Sequence, residues 1–79
     1  MFEKFKLRRK IRSKKKMIIS LEARRARSQA ALVEAILTKS VPDDKDVDYF
    51  NEYTSQIDAA RARMRALQEQ LDELNNSKG

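Results

Sequence analysis

Cysteine and histidine are both absent from this chain of 79 residues. Without them the chain has no means of forming a disulfide, a thiolate nucleophile, a zinc site of Cys/His ligands or a histidine-based catalytic triad. The single glycine is Gly79, so no interior position has the backbone freedom that phosphate-binding loops use. We therefore expect no catalytic residues, no metal and no cofactor, and a protein that is not an enzyme.

Long apolar runs are lacking as well. The longest is Ala30 to Val33, far below the roughly 20 residues that cross a bilayer. A secretory signal would need about 7–15 apolar residues after its basic part, but Ser20 and Glu22 follow closely on Met17–Ile19. These patterns favour a cytoplasmic protein.

The residues that are abundant favour helix. Alanine, leucine, arginine, lysine, glutamate and glutamine are frequent, while β-branched residues and proline are few. Pro42 disfavours the α conformation at the residue before it, and Asp43 or Asp44 can cap a following helix. The sequence predicts helix one over 17–40, a turn over 41–46, helix two over 47–76 and a short tail over 77–79.

Helix two carries an unbroken coiled-coil pattern, which we call the helix-two seam. Its apolar side chains alternate at spacings of three and four, as one face of a packed helix requires. The members are Phe50, Tyr53, Ile57, Ala60, Met64, Leu67, Leu71 and Leu74.

Helix one has a matching row, the alanine stripe, made of Ile19, Ala23, Ala26, Ala30, Val33 and Leu37. Small residues opposite large ones fill space well, so this stripe is predicted to face the helix-two seam in an antiparallel hairpin. In that pairing Ile19 lies near Leu67 and Leu37 near Phe50. The arginines at 24, 25 and 27 then fall at the height of those at 61, 63 and 65, where solvation or ion pairing is the simplest interpretation.

A second apolar face lies about 100° around helix one. It consists of Leu7, Ile11, Ile18, Leu21, Leu32 and Ile36. One neighbouring helix does not bury two faces of the same helix, and a two-helix core is thin for a chain below about 80 residues. The predicted fold is therefore all-α: an antiparallel two-helix coiled-coil hairpin that dimerises into a four-helix bundle through this second face.

Positive charge is concentrated in residues 1–16, the basic segment, which we expect to be an N-terminal arm or a continuation of helix one. It holds a single acid, Glu3, and nine basic residues: Lys4, Lys6, Arg8, Arg9, Lys10, Arg12, Lys14, Lys15 and Lys16. The chain as a whole carries a formal net charge of +6. Such a density attracts phosphates without reading bases. A membrane surface is a weaker candidate, because Phe2 and Phe5 point away from Leu7 and Ile11 and form no coherent apolar face with them.

Two functional hypotheses follow from these patterns. In the first, the protein self-associates and the basic segment binds an anionic partner, with nucleic acid as the first candidate and an acidic protein surface as another. In the second, the protein is a regulatory adaptor or inhibitor that docks on a larger protein through the second apolar face.

Overall fold

The computed structural model describes residues 2–76, and the predicted tail over 77–79 lies outside them. Two helices account for most of this range: α1 spans Phe2–Leu37 and α2 spans Asp44–Asn76. The basic segment continues α1 from Phe2 onward, so helix one begins well before residue 17. α2 begins at Asp44, three residues earlier than predicted.

Hydrogen bonds at the turn explain where each helix stops. Lys39 adopts a left-handed φ of 57°, its N–H donates to the Ile36 carbonyl at 3.1 Å, and the Ser40 N–H donates to the Ala35 carbonyl at 2.7 Å. This pair of bonds is the Schellman motif, which ends α1 at Leu37 rather than at residue 40. On the other side, the Lys45 N–H donates to Asp43 Oδ1 at 3.0 Å, so Asp43 is the N-cap of α2.

The two helices pack antiparallel along their length. At the end of the hairpin away from the turn, Leu7 and Ile11 form one core cluster with Leu67 and Leu71. Met64 and Leu74 pack against this cluster. Closer to the middle, a second cluster contains Ile18, Leu21, Ile57 and Ala60. Two helices and no strand make up residues 2–76, so the all-α hairpin is confirmed. Its extents are 60 × 16 × 14 Å.

The helix-two seam lies where the pattern predicts. Ile57, Ala60, Leu67 and Leu71 are buried, while Phe50, Tyr53, Met64 and Leu74 are half-buried. An unbroken 3,4 repeat leaves α2 only one apolar face to bury, and that face is the one in contact with α1.

The prediction that the alanine stripe of helix one packs against helix two is wrong. Every member of the alanine stripe is exposed, with Ile19 at 68% and Leu37 at 77% of full accessibility. Four members of the second apolar face occupy the core instead: Leu7, Ile11, Ile18 and Leu21. Burying leucine and isoleucine removes more apolar area from water than burying alanine, which favours this face once the basic segment is helical.

The register also differs from the predicted pairing, by about one heptad. Leu67 packs with Leu7 and Ile11 rather than with Ile19, and the Arg61 side chain reaches Glu22. Extending α1 to Phe2 supplies partners for the last two turns of the helix-two seam, and the short turn over 38–43 sets the alignment. The two groups of arginines therefore do not lie at one height.

Towards the turn the second apolar face leaves the core. Leu32 is half-buried and Ile36 is 66% exposed. Between Leu21 and Leu32 the same helical row is continued by Arg25 and Ser28, both half-buried. These polar positions explain why neither buried core cluster extends to the turn.

Candidate polyanion-binding surface

The basic segment is an ordered part of the hairpin. Residues 2–16 are helical, and Leu7 and Ile11 anchor this stretch of α1 to Leu67 and Leu71. Lys4 and Lys14 are half-buried because they continue the core row of α1, where long aliphatic stems lie along apolar neighbours and carry the charge outward. The core thus fixes the backbone from which all nine basic side chains project.

The other seven basic side chains are exposed: Lys6, Arg8, Arg9, Lys10, Arg12, Lys15 and Lys16. Five of them project away from the core row. At 100° per residue, Arg8, Arg9, Arg12, Lys15 and Lys16 occupy an arc of about 120° on one side of α1, which begins beside the core row at Lys15 and ends opposite the core at Arg9. We call this arc the basic face.

A groove between the helices extends the basic face onto α2. Lys15, Arg61 and Arg65 line this groove together with Met64 and Gln68. Arg61 and Arg65 are four residues apart and so share one side of α2. Sequence reasoning grouped them with the arginines at 24–27, because their proximity to Lys15 depends on the register of the two helices.

Carboxylates neutralise little of this charge. Within residues 2–76 the recorded salt bridge joins Arg61 Nη2 to Glu22 Oε1 at 3.0 Å, with both side chains more than 40% exposed. It involves none of the nine basic residues of the segment. Arg9 lies over the Phe5 ring at 5.9 Å, a cation–π contact that leaves its charge available.

The hairpin is electrically bipolar. The open end, formed by residues 2–16 and 63–76, has eleven basic and four acidic side chains, a net charge of +7. The turn end, residues 21–58, has five basic and eight acidic side chains, a net charge of −3. The positive end of the α1 dipole and the negative end of the α2 dipole both lie at the open end, so the attraction for anions there comes from the side-chain charges.

Other kinds of site find less support in the described residues. No group of three or more acidic side chains is arranged there to hold a metal ion. Neither helix contains an apolar stretch long enough to cross a membrane. Phe2 and Phe5 are exposed, but cations rather than further apolar residues surround them.

Comparisons with family models, curated proteins and solved structures return no match to this chain.

Proposed function

We propose that this protein is a small, non-enzymatic helical interaction protein that self-associates and binds an anionic polymer, with nucleic acid as the first candidate. The observation that carries the proposal is the basic face. Five cations share one side of a packed helix, and none of them is paired with a carboxylate among the described residues.

The geometry suits a phosphate backbone better than a small anion. Residues 8–16 of α1 extend over about 12 Å at 1.5 Å per residue, and duplex DNA presents one charge per roughly 1.7 Å of its axis. The face therefore meets several phosphates at once, and the groove with Arg61 and Arg65 adds cations beside Lys15. Contacts of this kind fix position and do not read sequence, so binding should depend weakly on base sequence.

Self-association needs a different surface from the one the sequence suggested. Leu7, Ile11, Ile18 and Leu21 lie in the hairpin core and are not free to bind a second copy. The same burial takes up four of the six residues on which the adaptor hypothesis depended and leaves Leu32 and Ile36 at the surface. We therefore assign dimerisation into a four-helix assembly to the alanine stripe, which is exposed.

The test of the anionic partner replaces the five residues of the basic face with glutamine, which keeps helix propensity and leaves the core untouched. We expect this variant to remain helical and to lose nearly all affinity for a labelled double-stranded DNA oligonucleotide at low salt. The control changes four cations outside the basic face, Arg24, Arg27, Lys39 and Lys45, to glutamine and should retain most of the affinity. Equal binding by both variants would contradict the proposal.

A further inference from the structure

One face of α1 remains uncovered in the hairpin although it is apolar. Ile19, Val33 and Leu37 on the alanine stripe are 68%, 45% and 77% exposed. Ala26 and Ala30 lie between them and line a shallow groove with Val33 and Leu37, to which Gln29 and Glu34 also contribute. The stripe thus presents large side chains at both ends and a depression in the middle.

The exposed area of the hairpin is large for its mass. A compact monomer of 9.2 kDa would expose about 4,900 Å², whereas this chain exposes 6402 Å². The excess of about 1,500 Å² exceeds the roughly 800 Å² that each partner contributes to a standard-size stable interface. This excess is spread over the whole elongated hairpin, 60 × 16 × 14 Å in extent, and the stripe is one part of it.

From the order of residues on the stripe we infer that it binds a second copy of this chain, antiparallel, about a two-fold axis at the height of residue 28. A two-fold interface must be complementary to itself. In this alignment Ile19 lies opposite Leu37 of the partner subunit, Ala23 opposite the partner's Val33 and Ala26 opposite the partner's Ala30. Large residues meet at the ends and alanines meet at the centre, where two helices approach closely.

The charge distribution favours the same orientation. An antiparallel pair brings the turn end of one copy, with its net charge of −3, towards the open end of the other, which carries +7. A parallel pair would place like ends together. Screening limits such attraction to about 8 Å at physiological ionic strength, and in this register the partner's turn reaches the height of Lys16, so the attraction acts at that edge of the basic segment.

This inference refines the architecture of the assembly on which the proposed function rests. The exposed large apolar residues of α2 within the described range are Val47 and Tyr49, both near its start. α2 therefore has no long apolar stripe for a second copy. Because the stripe lies about 100° around α1 from the core row, the two α1 helices pair directly and the two-fold axis places both α2 helices on the same side of that pair, as in a four-helix bundle.

Engineered cysteines test the register directly, because the chain has no cysteine of its own. We would mix Ala26→Cys with Ala30→Cys, one of the two carrying a size tag, and let disulfides form in air. In the inferred register the mixed disulfide is the dominant product, since its two positions lie directly opposite each other. Ala23→Cys mixed with Val33→Cys should behave in the same way.

The control mixture of Ala23→Cys with Ala26→Cys has no opposed pair and should form little mixed disulfide. Dominant same-residue dimers at position 23 would indicate a parallel pairing and overturn the inference. Sedimentation supplies the second readout: the natural chain should have about twice the mass of 9.2 kDa at micromolar concentration, and Ala26→Glu should be monomeric and fully helical.

Ser20→Glu adds the same charge on an exposed residue about 100° away from the stripe and should remain dimeric. A monomeric natural chain, or a dimeric Ala26→Glu, would also overturn the inference. DNA binding by the Ala26→Glu monomer separates the two ideas. If the monomer still binds DNA, the proposal that the basic face binds nucleic acid holds whether or not the chain dimerises.

Discussion

Two adjacent isoleucines distinguish the observed packing of α1 from the packing that its alanine stripe suggests. Ile18 is 6% exposed and belongs to the central core cluster, while Ile19 is 68% exposed. Ile18→Ala removes three carbons from the core, about 2.4 kcal/mol at roughly 0.8 kcal/mol per methylene. With the cavity that remains, the loss in the free energy of unfolding should be about 3–4 kcal/mol.

The same substitution one residue later should have little effect on the hairpin. Ile19→Ala removes a side chain that is mostly in water, and the higher helix propensity of alanine offsets part of the loss, so we expect less than about 0.5 kcal/mol. Urea denaturation followed by circular dichroism at 222 nm measures both variants.

Protein concentration separates the hairpin from the dimer in this experiment. The loss of unfolding free energy in Ile18→Ala comes from contacts within one chain, so it should be the same at high and at low protein concentration. Any loss at Ile19 that comes from association should shrink on dilution. An Ile19 variant that is less stable than the Ile18 variant at low concentration would refute the assigned core face.

The turn and one buried hydroxyl allow two further predictions. Lys39→Gly should raise the free energy of unfolding, measured by urea denaturation, by about 0.5–1 kcal/mol. The reason is that the left-handed φ of 57° at Lys39 is unfavourable for a residue with a Cβ. Lys39→Ala keeps the Cβ and should therefore show no gain. Thr54→Val should raise the thermal midpoint by an amount equivalent to about 1 kcal/mol, because Thr54 Oγ1 is buried without a hydrogen-bond partner; a lower midpoint would contradict this.

The sequence predicts α2 well and α1 only in part, for a physical reason. The helix-two seam is one unbroken repeat, so a single face was available to bury. α1 has two apolar rows about 100° apart, and the more regular one is the exposed alanine stripe. The row that is buried is interrupted by Lys14, Arg25 and Ser28, and this obscured its periodicity.

The helical state of the basic segment decides between these rows. In the pairing predicted through the alanine stripe, Leu7 and Ile11 belong to the face left for a second copy, and the end of the helix-two seam has no partner in the stripe. With α1 continuous from Phe2, both Leu7 and Ile11 pack on Leu67 and Leu71. Lys14 fits this core row because its long stem packs while its amino group reaches water, a property that a strict apolar pattern does not detect.

The candidate site was predictable in its main part. Charge counting alone finds the basic segment, since nine of its sixteen residues are lysine or arginine. The contribution of Arg61 and Arg65 beside Lys15 was not predictable, because it depends on a register that the turn and the core determine together. The bipolar charge of the hairpin likewise emerges only once the direction of α2 is known.

The salt dependence of DNA binding tests the central claim most directly. Fluorescence anisotropy with a labelled duplex, repeated at several salt concentrations between about 50 and 200 mM, measures the slope of log K against log salt. Five or six phosphates held by the basic face and its groove predict a slope near −5, with little change between duplexes of different sequence. No binding at the lowest salt, or binding with a slope near zero, would contradict the account.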